Sequence, residues 1–175
     1  MFLSYKPTWM VHAIYEITPE QLQKVGIKMV LTDLDNTLIA WNNPDGTKEL
    51  HDWLKMMEAA DIPVVVVSNN SSERVGRALA QLDLPYVARA LKPFSRGIRQ
   101  ACKKFQLTNE EVVMVGDQLM TDIRAANGAG VRSILVRPVV KTDGWKTRFN
   151  RFFEQFIMKY LVRKHKDMKW QGEIK

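Results

Sequence analysis

The stretch VLTDLDNTL, residues 30–38, decides the fold. It continues an apolar run from Met29 to Thr32, and such a run is typical of a strand buried on both faces of a parallel sheet. Asp33 and Asp35 follow directly, at the carboxyl end of that strand. Two carboxylates so close together repel each other unless a cation or a shared proton relieves them. The stretch therefore predicts a buried strand that ends in a charged functional site.

Outward from this stretch, apolar β-branched runs alternate with helical patterns. Further strands are predicted at Pro63–Val67, Tyr86–Ala90, Val112–Val115 and Ser133–Val136. Helices are predicted at Lys48–Ala60, Ser72–Leu82, Phe94–Phe105 and Thr121–Ala129. A capping box at residues 108–111 predicts a single helical turn. The alternation predicts an α/β fold whose central parallel sheet is covered on both faces and binds ligands beyond the carboxyl ends of its strands.

The composition is that of one folded domain. Of the 175 residues, 46% are hydrophobic and 26% are charged, which excludes a disordered protein. The single cysteine, Cys102, excludes an intramolecular disulfide and a zinc site built on cysteines, and it fits a cytoplasmic location. Lys6, Pro7 and His12 interrupt the N-terminal stretch, so it does not resemble a signal peptide. No apolar run approaches the roughly 20 residues of a membrane-spanning helix.

Positive charge is concentrated at the C-terminal end. The net charge is +7, and residues 141–175 supply +6 of it, from ten lysines and arginines against four acids. Apolar side chains recur there at helical spacing: Trp145, Phe149, Phe152, Phe153, Phe156, Ile157, Tyr160 and Leu161. Such a helix either lies in a lipid interface or packs on the domain with a solvated basic face. We predict a domain over 1–140, with its motifs at about 29–137, and a basic aromatic helix and tail over 141–175.

The two aspartates suit phosphoryl transfer. Asp33 is placed to attack phosphorus and form an aspartyl-phosphate, while Asp35 protonates the leaving oxygen and then activates water. The Thr37 hydroxyl is expected to hold Asp35 in place. Taken alone, these residues fit equally well a turn in which both aspartates accept hydrogen bonds from backbone amides.

Polar residues after two later strands predict the phosphate contacts. Ser68 and Asn69 offer a hydroxyl and an amide that hydrogen-bond phosphoryl oxygens without adding charge. Lys92, just ahead of a helix, is suited to neutralise both the phosphate and Asp33. Each of these residues by itself is an ordinary turn or surface residue. Their order along the chain and their common sheet edge favour one shared site.

Two acids after the strand at Val112–Val115 point to a cation. Asp117 ends that strand, and Asp122 follows five positions later. Together with Asp33 and the backbone carbonyl of Asp35, they offer oxygen ligands to Mg²⁺. Asp122 is either a further ligand or an acceptor behind the ligands, and it also suits the start of a helix.

The motifs DLDNTL, SN, KP and GDQLMTD resemble, in order and spacing, the four motifs of the haloacid dehalogenase (HAD) superfamily of phosphatases. The resemblance implies a three-layer Rossmann-like fold, Mg²⁺ as cofactor and the roles just described. Only 30 residues separate Thr37 from Ser68, and Lys92 follows Asn69 by 23 positions, which leaves no room for a large cap domain. We therefore expect an open, class III site beside a short flap at 39–46, in which Trp41 is a candidate substrate contact.

The whole chain also resembles the YqeG family of small bacterial phosphatases, related to the mitochondrial phosphatidylglycerophosphatases. The resemblance rests on the N-terminal IYEIT, the GIKMVLTDLDNTL stretch and the aromatic basic tail. It implies hydrolysis of phosphatidylglycerophosphate by a cytoplasmic protein that is peripheral to the inner face of the membrane. Residues 145–166 are then expected to contact anionic lipid.

Two other functions stay open. The same site fits a soluble nucleotide, a sugar phosphate or a nucleic-acid end, although tail aromatics at helical spacing argue against nucleic acid. A non-catalytic, receiver-like module also combines a phosphorylatable aspartate with a lysine and a metal. Because such modules lack an acid two residues after the acceptor, Asp35 favours turnover.

Overall fold

The computed structural model describes residues 2–40, 43–140 and 145–175, with only the backbone of 145–149. Seven parallel strands form one sheet: β1 (Trp9–Val11), β2 (Met29–Thr32), β3 (Val64–Val67), β4 (Tyr86–Val87), β5 (Val112–Gly116), β6 (Arg132–Val136) and β7 (Trp170–Gln171). Their order across the sheet is β4-β3-β2-β5-β6-β1-β7. The β2 strand is therefore internal, paired with β3 on one side and β5 on the other.

Helices connect these strands in the predicted alternation. The α-helices are α1 (Pro19–Lys24), α2 (Lys48–Ala59), α3 (Ser72–Ala78), α4 (Arg96–Lys104), α5 (Arg124–Ala129) and α6 (Trp145–Lys164). Short 3₁₀ turns lie at Leu3–Tyr5, Ile14–Glu16 and Asn109–Glu111, and a π-helical turn at Leu119–Ile123 leads into α5. The capping box predicted at 108–111 is present.

Alternate residues of the central strands face opposite sides of the sheet and build two cores. On one side, Val30 and Val113 pack with α1, α2 and α3. On the other side, Leu31 and Met114 pack with α4 and α5. The fold is thus a three-layer α/β/α sandwich, which confirms the predicted fold class. Within the described residues, no large cap domain is inserted between the strands.

The C-terminal segment belongs to the same body. Ile157 and Leu161 of α6 are buried in a cluster with Leu135 of β6, and β7 extends the sheet beyond β1. The opposite side of α6 leaves Phe152 and Phe156 mostly exposed. One face of α6 thus packs on the domain, and the other is open to solvent. Lipid contact through the open face stays a prediction. No helix in the described ranges is long and apolar enough to cross a membrane.

Strands β2 to β6 and the helices between them were predicted to within a few residues. Strands β1 and β7 and helix α1 were not predicted. They are three, two and six residues long, respectively, which is too short to show a hydrophobic period. Of the predicted flap and tail, Trp41, Asn42 and the side chains of Trp145 and Phe149 lie outside the described residues.

Candidate active site

Three acids from two motifs meet at the carboxyl edge of the sheet. Strands β2 and β5 pair in register from Met29↔Val112 to Thr32↔Val115, so Asp33 and Asp117 leave neighbouring strands side by side. The π-helical turn brings Asp122 back over β5. Carboxylate oxygens of Asp33, Asp117 and Asp122 lie within 4.8 Å of one another.

The close approach of Asp122 depends on Gly116, the last residue of β5. A Cβ atom at position 116 would overlap the Asp122 side chain. The Gln118 N–H donates to Asp122 Oδ2 at 3.2 Å, and the Asp122 N–H donates back to the Gln118 carbonyl at 3.1 Å. Within the motif GDQLMTD, hydrogen bonds to Gln118 thus fix the position of Asp122, and the small size of Gly116 leaves room for its side chain.

Lys92 is the cation of this cluster. Its Nζ donates to Asp33 Oδ1 and to Asp122 Oδ1, both at 2.7 Å, and its side chain is 3% exposed. Burial disfavours the charged lysine, but the two carboxylates outweigh burial and raise its pKa above the ordinary value. Lys92 therefore stays protonated and ties the nucleophile candidate to the acid on the π-helical turn.

The two buried acids titrate far from their ordinary range. Burial, reinforced by the charge of Asp33, raises the pKa of Asp117 to about 6 despite its ion pair with Arg151. Burial raises the pKa of Asp122 to about 7, although Lys92 opposes the shift. Three carboxylates confined with few cations are a site that gains from a further positive charge.

Asp35 has partners that we did not predict. The Asn70 side-chain amide donates to Asp35 Oδ2 at 2.9 Å, and Arg74 of α3 approaches Asp35 Oδ1 at 3.5 Å. We expected the Thr37 hydroxyl to hold Asp35. It donates instead to Asp117 Oδ1 at 3.2 Å. Thr37 contacts Asp117 rather than Asp35 because Thr37 is buried beneath the strand ends, whereas the Asp35 side chain is 39% exposed.

Ser68 and Asn69 directly follow β3, at the same edge of the sheet. The buried Ser68 Oγ accepts from the Asn70 N–H at 3.2 Å, and an accepting hydroxyl still carries a proton that a phosphoryl oxygen can take. The Asn69 side chain donates to the Lys92 carbonyl at 2.8 Å and accepts from the Lys92 N–H at 2.7 Å. Its amide therefore holds the Lys92 loop. The contact with a phosphoryl oxygen that we predicted for Asn69 stays a prediction.

Two residues of α6 complete the site. The Arg151 guanidinium pairs with Asp117 Oδ2 at 2.5 Å and donates to the Asp117 carbonyl at 3.1 Å. Glu154, one turn on, accepts from the Met120 N–H at 2.9 Å. Sequence reasoning left α6 either in a lipid interface or packed on the domain, and it placed no residue of α6 in the site. No local signal marks Arg151 or Glu154, because they lie more than 30 positions from their partners.

Comparison with known proteins agrees with this geometry. The chain is 40% identical over 160 residues to "Probable phosphatase YqeG" of Bacillus subtilis (strain 168), covering 91% of this chain and 93% of that protein. It belongs to the YqeG family of HAD phosphatases. The HAD-hydrolase-like family model matches residues 90–152, which contain Lys92, Asp117, Asp122 and Arg151.

Solved structures resemble this YqeG-family phosphatase to different degrees. An uncharacterized protein from Listeria monocytogenes serotype 4b is 19% identical and aligns with a TM-score of 0.54, covering 67% of this chain and 84% of that one. A HAD subfamily III A hydrolase from Legionella pneumophila is 23% identical and aligns with a TM-score of 0.43, over 57% and 60% of the two chains.

The donor set of this YqeG-family phosphatase fits a hard divalent cation. All three clustered acids offer carboxylate oxygens, and the described residues place no histidine or cysteine ligand among them. Such oxygens suit Mg²⁺, whereas zinc and copper prefer nitrogen or sulfur. The raised pKa values of Asp117 and Asp122 point the same way, because a bound cation favours their ionised forms.

The stability of the metal-free protein should fall as pH rises from about 4 to about 7. Asp117 and Asp122 ionise near their ordinary value of 3.8 when unfolded but only near 6 and 7 when folded. The folded state therefore binds more protons across this window, and deprotonation favours unfolding. We expect Tm in EDTA to be roughly 5 °C lower at pH 7.5 than at pH 5, measured by calorimetry.

Two comparisons check this assignment. Asp122→Asn, which removes one of the two titrations, should flatten the profile, and excess Mg²⁺ should raise Tm chiefly at the high-pH end. A metal-free Tm that rises steadily from pH 5 to pH 7.5 would contradict the role of the two acids.

Proposed function

We propose that this phosphatase hydrolyses phosphomonoesters through an aspartyl-phosphate on Asp33. The observation that carries the proposal is the placement of Asp33 at a sheet edge, 2.7 Å from the buried Lys92 ammonium, with a second acid two residues on. The lysine lowers the repulsion between a carboxylate and an incoming phosphate dianion. Asp35 is half-exposed beside it and has room to meet a leaving group or a water.

The reaction has two displacements at phosphorus. In the first, an oxygen of Asp33 bonds to phosphorus, the bond from phosphorus to the leaving oxygen breaks, and protonated Asp35 donates its proton to that oxygen. In the second, Asp35 takes a proton from a water whose oxygen bonds to phosphorus. The bond to Asp33 breaks, inorganic phosphate leaves, and both carboxyl groups return to their starting states.

The remaining residues hold the phosphoryl group and balance its charge. The Ser68 hydroxyl donates to a phosphoryl oxygen, and Asn69 keeps the Lys92 loop in place. Asp33, Asp117, Asp122 and the backbone carbonyl of Asp35 would hold Mg²⁺, which would supply positive charge near the phosphoryl oxygens. Asn70 and Arg74 orient Asp35 through its two carboxylate oxygens.

We propose phosphatidylglycerophosphate as the substrate. A groove of about 360 Å³ borders Asp117 between α6 and the end of β6, and cationic Arg137, Arg151 and Lys159 line it. Its apolar lining consists of Leu119, Leu135, Val136, Pro138, Met158 and Trp170. Apolar walls beside cations suit a leaving group that is itself an anionic amphiphile. The capless site and the resemblance to phosphatidylglycerophosphatases support the same substrate.

Contact with an anionic membrane through 145–166 follows from this substrate. Phe152 and Phe156 are 70% and 65% exposed, and the same helix ends in Arg163 and Lys164. Exposed aromatics insert at a lipid interface while neighbouring cations bind headgroups. We propose that the protein works in the cytoplasm at the inner face of the membrane, with 1–140 as the catalytic unit and 141–175 as the membrane-facing segment.

The substrate test measures phosphate release with Mg²⁺ from phosphatidylglycerophosphate in mixed micelles, beside soluble nucleotide and sugar phosphates. We expect kcat/KM for the lipid to exceed that for the soluble esters by at least about 100-fold, the effect of roughly 3 kcal/mol of binding to the lipid portion. Phe152→Ser with Phe156→Ser should weaken only the lipid reaction. Preference for a soluble ester would overturn the lipid substrate and leave the site chemistry intact.

Asp35→Asn should slow turnover by about 10²–10⁴-fold, the usual contribution of a general acid and base. With p-nitrophenyl phosphate, whose leaving group needs little protonation, the first displacement persists and the aspartyl-phosphate accumulates. Mass spectrometry of acid-quenched protein detects it. The matched control is Asp61→Asn, an exposed aspartate at the opposite edge of the sheet. Unchanged hydrolysis by Asp35→Asn would remove its acid and base role.

A further inference from the structure

The charge balance of the acidic cluster assigns Arg151 a function. With all three carboxylates ionised, as metal ligation requires, Asp33, Asp117 and Asp122 contribute three negative charges, while Lys92 and Arg151 contribute two positive ones. The cluster with both cations carries about one net negative charge, and a bound divalent ion turns that into one positive charge. Without Arg151 the same ion leaves the cluster neutral. Like charges within a few ångströms in a buried site oppose each other.

Arg151 and a metal ion share one carboxylate. Both oxygens of Asp117 already have donors, Thr37 at Oδ1 and Arg151 at Oδ2. A cation that takes Asp117 as a ligand meets a guanidinium already paired with that group. The Asp117 side chain is fully buried, so water screens this conflict poorly.

Arg151 has a second acceptor within reach. Glu154 Oε2 lies 3.9 Å from the nearer guanidinium nitrogen, one turn along the same helix. Glu154 also accepts from the Met120 N–H, which holds its carboxylate within reach of the guanidinium. The guanidinium therefore faces two carboxylates at once, and Glu154 is the acceptor that remains if the contact with Asp117 is lost.

We propose that Arg151 is a positioning residue that holds Asp117 in the metal-free enzyme and competes with the divalent cation for that carboxylate. Metal binding moves Arg151 towards Glu154 and loosens the N-terminal half of α6 from the active site. Because the coupling is reciprocal, an event that draws α6 away from the site strengthens metal binding. The inference rests on the proposed function only in taking Asp117 as a metal ligand.

The test is titration calorimetry of the folded, full-length chain with MgCl₂ alone. Arg151→Met removes the charge and keeps the side-chain length, and we expect it to lower the Kd for Mg²⁺ about tenfold, within the usual range of coupling between sites. Arg151→Lys restores the charge and should return Kd most of the way to wild type. Arg163→Met, an exposed arginine near the end of α6, is the matched control and should leave Kd unchanged.

Hydrogen exchange gives a second readout that does not depend on catalysis. Adding Mg²⁺ to the wild-type chain should increase exchange at backbone amides 150–156, and this increase should disappear in Arg151→Met. A Kd for Mg²⁺ that is unchanged or higher in Arg151→Met contradicts competition between Arg151 and the cation. Slower exchange at 150–156 on adding Mg²⁺ to the wild type contradicts it as well. Failure of the wild type to bind Mg²⁺, tested beside Asp117→Asn, overturns instead the metal ligation on which the proposed function depends.

Discussion

Asp33→Asn should release phosphate at least about 10⁴-fold more slowly than the wild-type chain, because removal of a nucleophile that acts as part of a unit costs up to about 10⁶-fold. The amide keeps the size and planar shape of the carboxylate, so the strand end and its core stay intact. No phosphorylated protein should form with any substrate. Phosphate release at saturating Mg²⁺ and mass spectrometry of quenched protein measure the two effects.

The matched control for this prediction is Asp83→Asn. Asp83 is exposed and precedes β4, so the same chemical change is made at the opposite edge of the sheet. Its activity should equal that of the wild type. Hydrolysis by Asp33→Asn at more than about one hundredth of the wild-type rate would show that another group attacks phosphorus.

Lys92→Met should cause the largest loss of stability among the active-site variants. Lys92 is buried and pairs with both Asp33 and Asp122. Removing one partner from a buried ionic group leaves an uncompensated charge and typically costs about 3–5 kcal/mol. Urea unfolding in EDTA at pH 7.5 should show this loss. Activity should also fall by about 10²-fold or more, because a preorganised positive charge at the phosphoryl group is lost.

Two conditions separate the effects of this substitution. Mg²⁺ should restore part of the stability, since a divalent cation also neutralises the acids, whereas activity should stay low. Lys104→Met, at the exposed end of α4, is the control for the loss of a surface lysine and should change neither quantity measurably. If Lys92→Met lowers the free energy of unfolding by less than about 1 kcal/mol, the acids become protonated in the folded state and do not need the lysine to balance their charge.

The amino-acid sequence by itself determined the fold class and the location of the site. Four apolar β-branched runs gave the central strands, because a strand buried on both faces must be apolar throughout. In a parallel sheet all carboxyl ends lie at one edge, so acids and polar residues that follow separate strands converge. By that rule the sequence alone places Asp33, Lys92, Asp117 and Asp122 together. Local chemistry and chain order were sufficient for this step.

Only the tertiary structure decided which side chain touches which. Thr37 serves Asp117 rather than Asp35, and Asn69 holds the Lys92 backbone, because burial and chain direction at the sheet edge select partners that spacing does not encode. Arg151 and Glu154 reach the site from 34 positions away, since the apolar face of α6 docks against β6 and the π-helical turn. The packing of this apolar face fixes the positions of Arg151 and Glu154. Hydrophobic periodicity in the sequence predicts that the helix has an apolar face but not which part of the domain that face contacts.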